Sequence, residues 1–237
     1  MTKTLQQTIP FGLERLYNDA LYLHLIHKGY TPKQAEKEVI IRANAKMREI
    51  NGSKLYVEKL KEELQILPDD SIILIETTPE KAFELGLALV KFFSDKKDSG
   101  IIVSANRPYS NLINVFAKKF IDIKKMFILD CVSKSQNADF QADNVSFIDN
   151  ASALTDISLS INQRIRETNG LKKFVFFDSI PVMIIHNKSH VFARFIHSIL
   201  TMMRLNGVSG ILISFDDGNN REIRAEIAQL CDKVIKI

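Results

Sequence analysis

The sequence predicts an α/β fold built on a mostly parallel sheet flanked by helices, and three observations predict it. Seven short apolar runs, rich in β-branched and aromatic residues, occur at 72–75, 101–104, 126–132, 145–148, 174–178, 210–215 and 233–237. Amphipathic stretches of helical length separate most of them, at 79–93, 108–120, 153–168, 189–206 and 220–231. The runs are continuously apolar rather than alternating, as in strands buried on both faces, and strands joined through helices run parallel.

Residues 1–67 carry no strand signal and are expected to form a helical N-terminal extension, with the α/β domain over 68–237. Leu13, Leu16, Leu21, Leu23 and Leu25 fall at helical spacing in the first segment. A second helix opens at "TPKQAEKEV", with Thr31 as N-cap, Pro32 in the first helical position and Gln34 completing a capping box. Gly52 follows its last apolar position and is expected to end it. "SKLYVEKLKEELQIL" then predicts a third, charged helix that Pro68 breaks off. The one long polar loop is "SKSQNADFQADN" at 133–144.

Composition narrows the function classes. The 237 residues are 46% hydrophobic and 25% charged with a formal net charge of +4, an ordinary globular balance that argues neither for nucleic acid nor for a membrane surface. Cys131 and Cys231 stand in apolar surroundings without C-x-x-C spacing, as reduced thiols of a cytoplasmic protein would. No apolar run approaches the roughly 20 residues of a membrane span, and "MTKTLQQTIPFG" lacks the apolar core of a secretory signal, so a cytoplasmic location is expected.

In parallel sheets ligands bind beyond the carboxyl ends of the strands. The first of those ends reads "IETTPEKAFELGL" (75–87). A phosphate-binding loop at such a strand-to-helix turn follows G-x-x-x-x-G-K-[ST], its backbone amides cradling the phosphate. In that register Thr77 and Ala82 stand for the glycines, Phe83 for the lysine and Glu84 for the magnesium-binding Ser/Thr. Side chains therefore replace bare backbone at 77 and 82, and the cation is gone. Glu84, with Glu76 and Glu80, adds negative charge, and two unit charges about 4 Å apart repel by ~4 kcal/mol at an effective dielectric of 20. Thr78-Pro79-Glu80 predicts an ordinary helix start, with Glu80 favourable against the dipole and Lys81 directed to solvent.

Three other segments share the grammar of one family. "KKFVFFDSIPVMII" (172–185) resembles the Walker B strand of RecA-like ATPases, ending in Asp178. "GIIVSANRPYSNLI" resembles the second strand and helix of the KaiC-like branch, and "GVSGILISFDDGNNREIRAEIAQLCDKVIKI" its closing strand, helix and strand. Over about 72–237 the chain is most similar to archaeal KaiC-like proteins of the RecA superfamily with a degenerate phosphate loop. The resemblance implies a RecA-like sheet and a vestigial nucleotide site at Thr77, Thr78, Lys81, Phe83, Glu84, Asn106 and Asp178. The family's water-activating glutamate would follow Ser104, where Ala105, Asn106 and Arg107 stand without a carboxylate. Phosphoryl transfer would thus lack its cation, magnesium ligand and base, leaving no catalytic residue and no expected cofactor; ATP with magnesium is the alternative. Asp178 is the sole candidate metal ligand, with capping of a neighbouring loop as its competing role.

His186, His190 and His197 offer helical spacing without the third or fourth convergent ligand that zinc requires, and His24 and His27 read as one side of a packed helix. Asp130 with Asp178 lacks the paired acids of a receiver pocket, and Asp216-Asp217 reads as a turn before Asn220 as N-cap. Basic residues between Lys91 and Lys125 include Lys118, Lys119, Lys124 and Lys125, the candidates for nucleic-acid contact, with Tyr109 as a stacking aromatic. The sequence therefore predicts a non-catalytic regulatory or scaffolding protein acting through a protein partner or a homo-oligomer. A divergent NTP-binding ATPase needing a partner chain, and a nucleic-acid-binding paralogue, are the alternatives.

Overall fold

The computed structural model describes residues 11–96, 98–136, 142–168, 172–215 and 220–237, with side chains described from residue 19 onward except at 43–54 and 135–136. It divides into two compact units, residues 1–56 and 57–237.

In the first unit, α1 (Phe11–His27) ends at Gly29, whose φ of 88° is left-handed, with the Tyr30 amide donating to Leu25 O at 3.2 Å. α2 (Pro32–Gln65) then starts on the expected capping pair. Gln34 Oε1 accepts from the Thr31 amide at 3.0 Å and from the Thr31 hydroxyl at 2.8 Å. The expected helix end at Gly52 does not occur, because α2 runs unbroken through it. A mid-helix glycine costs only about 1 kcal/mol relative to alanine, and good helix formers on both sides outweigh it. Leu25 and Ala35 are buried, whereas Leu23, Ile40 and Ile41 are each more than half exposed.

The second unit holds a seven-stranded sheet, every pairing parallel: β1 (Ile72–Thr77), β2 (Ser99–Ser104), β3 (Met126–Asp130), β4 (Val145–Phe147), β5 (Lys173–Asp178), β6 (Ser209–Phe215) and β7 (Lys233–Lys236). Their order is β4-β3-β2-β5-β6-β1-β7, so β6 lies between the first strand and the one ending in Asp178. All seven expected strands form. β3 stops two residues early because Asp130, at its end, recruits the amides of Val132 and Ser133.

Helices α3 (Pro79–Asp95), α4 (Tyr109–Lys118), α5 (Leu154–Glu167), α7 (Ser189–Leu205) and α8 (Arg221–Gln229) match the amphipathic stretches, and a short α6 (Ile180–Ile185) follows β5. One face of the sheet, through Ile72, Leu74, Ile101, Val103, Val175, Phe177 and Leu212, forms a single buried core with residues of α5 to α8. The other face packs on α3 and α4. There Gly86 lets α3 approach closely, since a Cβ would meet Phe176 Cζ at 2.9 Å and Ile213 Cδ1 at 3.1 Å. Cys131 is buried and Cys231 half-buried, both unbridged, and burial pushes each thiol up to about 12.

Candidate functional site at the carboxyl edge of the sheet

Strand ends supply the polar side chains. Register aligns Ser104 of β2 with Asp130 of β3 on one side and Asp178 of β5 on the other, so three polar residues share one level of the sheet. All three are buried, and their surroundings differ sharply.

Asp130 is saturated. Its carboxylate accepts from the amides of Tyr109 (2.6 Å), Val132 (2.8 Å) and Ser133 (2.9 Å), and from the Ser133 hydroxyl (2.5 Å). It joins the end of β3 to the start of α4 and to the following turn, a structural role that leaves it no capacity to receive a phosphoryl group.

Asp178 is different: no described side chain donates a hydrogen bond to it. Burial pushes its carboxyl above the ordinary aspartate range, with the nearby Arg107 cation pulling partly the other way. Arg107 reaches this position because the loop after β2 curls back. The Ser104 hydroxyl donates to Arg107 O at 2.7 Å and the Ala105 amide to Asp178 O at 2.8 Å. The guanidinium then lies over the Phe83 ring, 3.5 Å from its centroid. Phe83, Arg107 and Asp178 thus form one stack between α3 and the end of β5.

β1 ends at Thr77 and α3 begins at Pro79, so Thr78 alone joins them. Thr78 O accepts from the Lys81 and Ala82 amides at 3.1 and 3.0 Å, closing the first turn of the helix. The Glu80 carboxylate accepts from its own amide and from the Thr78 hydroxyl, which holds it below the ordinary glutamate range. An internal anion therefore sits at the start of α3, where the macrodipole favours one. Thr77 is buried with its Oγ1 unpartnered. Of the other expected positions, Thr78, Glu84 and Asn106 are exposed, while Lys81 is half-buried rather than directed to solvent. The sequence presented Arg107 only as a missing carboxylate. The signal that could have placed it is an arginine three residues past a strand end, facing an aromatic in the first turns of a neighbouring helix.

Asp178 yields a direct prediction. An acid whose folded pKa is raised contributes stability below its unfolded value of 3.8 that is lost as pH rises through its folded value. Asp178→Asn is therefore expected to raise the melting midpoint at pH 7 by the roughly 2–4 °C that about 1 kcal/mol is worth in a chain of this size. The gain should fade as pH falls below 4. An Asn variant less stable than the parent at pH 7 would show that the ionised carboxylate stabilises the fold.

The remaining candidates are scattered. His186, His190 and His197 are exposed, and no group of three metal-ligating side chains occurs among the described residues. Asp216 and Asp217 lie outside the described residues. Lys118 and Lys119 close α4 and are exposed, as is Lys124, while Lys125 is half-buried. The expected stacking aromatic, Tyr109, is instead buried with its hydroxyl on Asn144 Oδ1 at 2.7 Å. Phe120, the last residue of the expected helical stretch 108–120, is 85% exposed with φ of 54°. α4 ends before it, and the Ile121 amide returns to Phe116 O at 3.0 Å, so Phe120 takes the left-handed capping position while Ile121 enters the core. No helix among the described residues is long and apolar enough to cross a membrane.

No family model matches the sequence, and no curated protein matches it. Among solved structures, a KaiC-like protein from the hyperthermophilic archaeon Pyrococcus horikoshii OT3 is similar, with a TM-score of 0.52 and 15% identity over 72% of each chain. At that identity the likeness concerns the path of the backbone alone. With the seven-stranded parallel sheet, it shows that this chain has a RecA/KaiC-like α/β fold.

Proposed function

We propose that the chain is a non-catalytic regulatory or scaffolding protein that acts through protein–protein contacts, its nucleotide site no longer able to hold phosphate. The observation that carries this reading is the single-residue joint between β1 and α3. A phosphate cradle needs several consecutive backbone amides turned toward one point, and one joining residue does not supply them. Two features support it. Glu80 already occupies the helix N-terminus, and Phe83 with Arg107 stacked on it takes the space beside Asp178. With no carboxylate after Ser104 to activate water, positioning and charge stabilisation for phosphoryl transfer are both missing. Leu23, Ile40 and Ile41, exposed in the helical extension of residues 1–67, give a partner or a second copy apolar side chains to cover, and the α/β domain spans residues 68–237.

Titration with ATP and magnesium, by calorimetry alongside a melting scan, tests the retired site. No heat and no shift at millimolar ligand is the expected result. A ligand at 100 times its dissociation constant would add about 2.7 kcal/mol, so genuine binding would be obvious. Saturable micromolar binding abolished by Lys81→Ala and Asp178→Asn would instead make the chain a divergent NTP binder.

A further inference from the structure

A second place on the carboxyl edge carries its own chemistry. Beyond the ends of β6, β1 and β7, and bounded by α8, lies an open cleft of about 570 Å³. Register sets Glu76 beside Ser214 on one side and Lys236 on the other. Glu76 and Lys236 are paired at 2.9 Å. Ser214 is only 1% exposed and its hydroxyl has no partner. Thr77, the next residue along β1, borders the cleft, but strand alternation turns its side chain to the opposite face of the sheet, that of Ile73 and Ile75.

An unpartnered buried hydroxyl at this cleft calls for an explanation. Leaving such a group unsatisfied costs about 1–3 kcal/mol, and native proteins leave few of them. Facing Ser214, α8 contributes Arg221 in its first turn and Arg224, whose Nη1 donates to Phe215 O at 3.2 Å. The cap residue Asn220 has φ of 58° and makes no side-chain bond to the first helical amides. Among the described side chains lining the cleft, three cations stand against the one carboxylate of Glu76, beside a helix N-terminus and a hydroxyl able to donate.

We propose that this cleft binds a small molecule through an oxyanion group, phosphate or carboxylate. Arg221 and Lys236 supply charge at the rim, and Ser214 supplies a hydroxyl donor at the floor. Arginine matches the planar, multi-oxygen face of either group, and hydrogen bonds to a charged acceptor are the strong ones. Ser214 lies on β6, the strand beside that of Asp178, but the charges of the site come from β7 and the start of α8 rather than from β5 and the start of α3. It therefore does not depend on the proposed loss of the nucleotide site. Occupancy would give a scaffolding protein a way to respond to a metabolite.

The test uses the full chain, with inorganic phosphate, citrate and magnesium-free ATP as probes, read by calorimetry and by melting midpoint. At least one of the three is expected to bind saturably. Arg221→Glu, an exposed position, should weaken that binding by at least about tenfold, the effect of about 1.4 kcal/mol. Ser214→Ala should weaken it by about threefold while leaving the ligand-free midpoint unchanged or higher, because an orphaned hydroxyl is removed. Phosphate binding without citrate assigns a phosphoryl ligand, and the reverse a carboxylate. Absence of binding at millimolar concentration for all three probes overturns the proposal. So does binding that is equal in Arg221→Glu, which would mean an adventitious ion only. ATP binding lost in Asp178→Asn counts against the retired nucleotide site alone, whereas binding that survives Asp178→Asn and fails in Arg221→Glu supports the cleft.

Discussion

Asp130→Ala is expected to lower folding stability by about 3–5 kcal/mol, at the upper end of what a single substitution does. Four donors converge on this buried carboxylate: three amides and the Ser133 hydroxyl. Removing it leaves Tyr109 N–H, Val132 N–H and the Ser133 pair without an acceptor, and each buried orphan costs about 1–3 kcal/mol less whatever an entering water restores. Asp130→Asn keeps the shape but turns one acceptor into a donor that confronts an N–H, so it should recover less than half of the loss. Urea unfolding should show a lower midpoint at unchanged slope, because the surface exposed on unfolding stays the same. A midpoint within 0.5 kcal/mol of the parent, on the order of experimental additivity, would mean that the turn after β3 re-pairs elsewhere. The contrast with Asp178 is the informative part. Two aspartates end strands on either side of β2 at one level, yet one is held by four hydrogen bonds and the other by a neighbouring charge. Replacing the first should damage the fold, and replacing the second should improve it.

Phe177→Ala is expected to cost a further class of energy, about 3–5 kcal/mol of lost burial and cavity formation. The ring is fully buried in the core between β5 and the helices α5 to α8, one residue before Asp178. Against a total stability of about 5–15 kcal/mol, that loss should drop the melting midpoint by roughly 6–20 °C. Phe177→Leu, which keeps most of the volume, should retain more than half of the stability. A small loss for the alanine variant would imply that α5 to α8 collapse onto the sheet, and urea unfolding of the same variant would detect it as a changed slope.

Much of the fold was legible because parallel strands leave a local mark. Runs such as "IILI" and "FVFFD" are apolar on both faces, and the stretches between them keep a 3.6-residue period, so each element announces itself within a few residues. The errors are local too. Gly52 reads as a helix end, yet the signal is only a propensity of about 1 kcal/mol, which flanking residues overrule. α6 was hidden because Ile180–Ile185 continues the apolar run of β5 and shows no period of its own. Phe120 shares a helical spacing with Phe116, but the chain leaves the helix before reaching it.

The site was less legible, and for a different reason. Thr78 and Pro79 declared the start of α3, which follows from one residue's preferences. The stack of Phe83, Arg107 and Asp178 joins three elements, and nothing in any one segment says that the others are near. The same holds for Ser214, Arg221 and Lys236, which meet only once β6, β7 and α8 are placed about β1. Strand order is the missing information, because it depends on how seven apolar runs share a sheet rather than on any one of them.

The joint between β1 and α3 carries a consequence for anyone who would change what this molecule binds. Its span is a matter of how many residues separate the last sheet pairing from the first helical turn, and that number is one. Side-chain exchange leaves the number untouched. Glycines at 77 and 82 and a lysine at 83 would reproduce the letters of a phosphate loop on a backbone that has no slack to wrap an anion. Insertion, with α3 re-registered against Phe176 and Ile213, is the edit that geometry demands. In this position the vocabulary of the chain can be rewritten freely, while its punctuation decides the meaning.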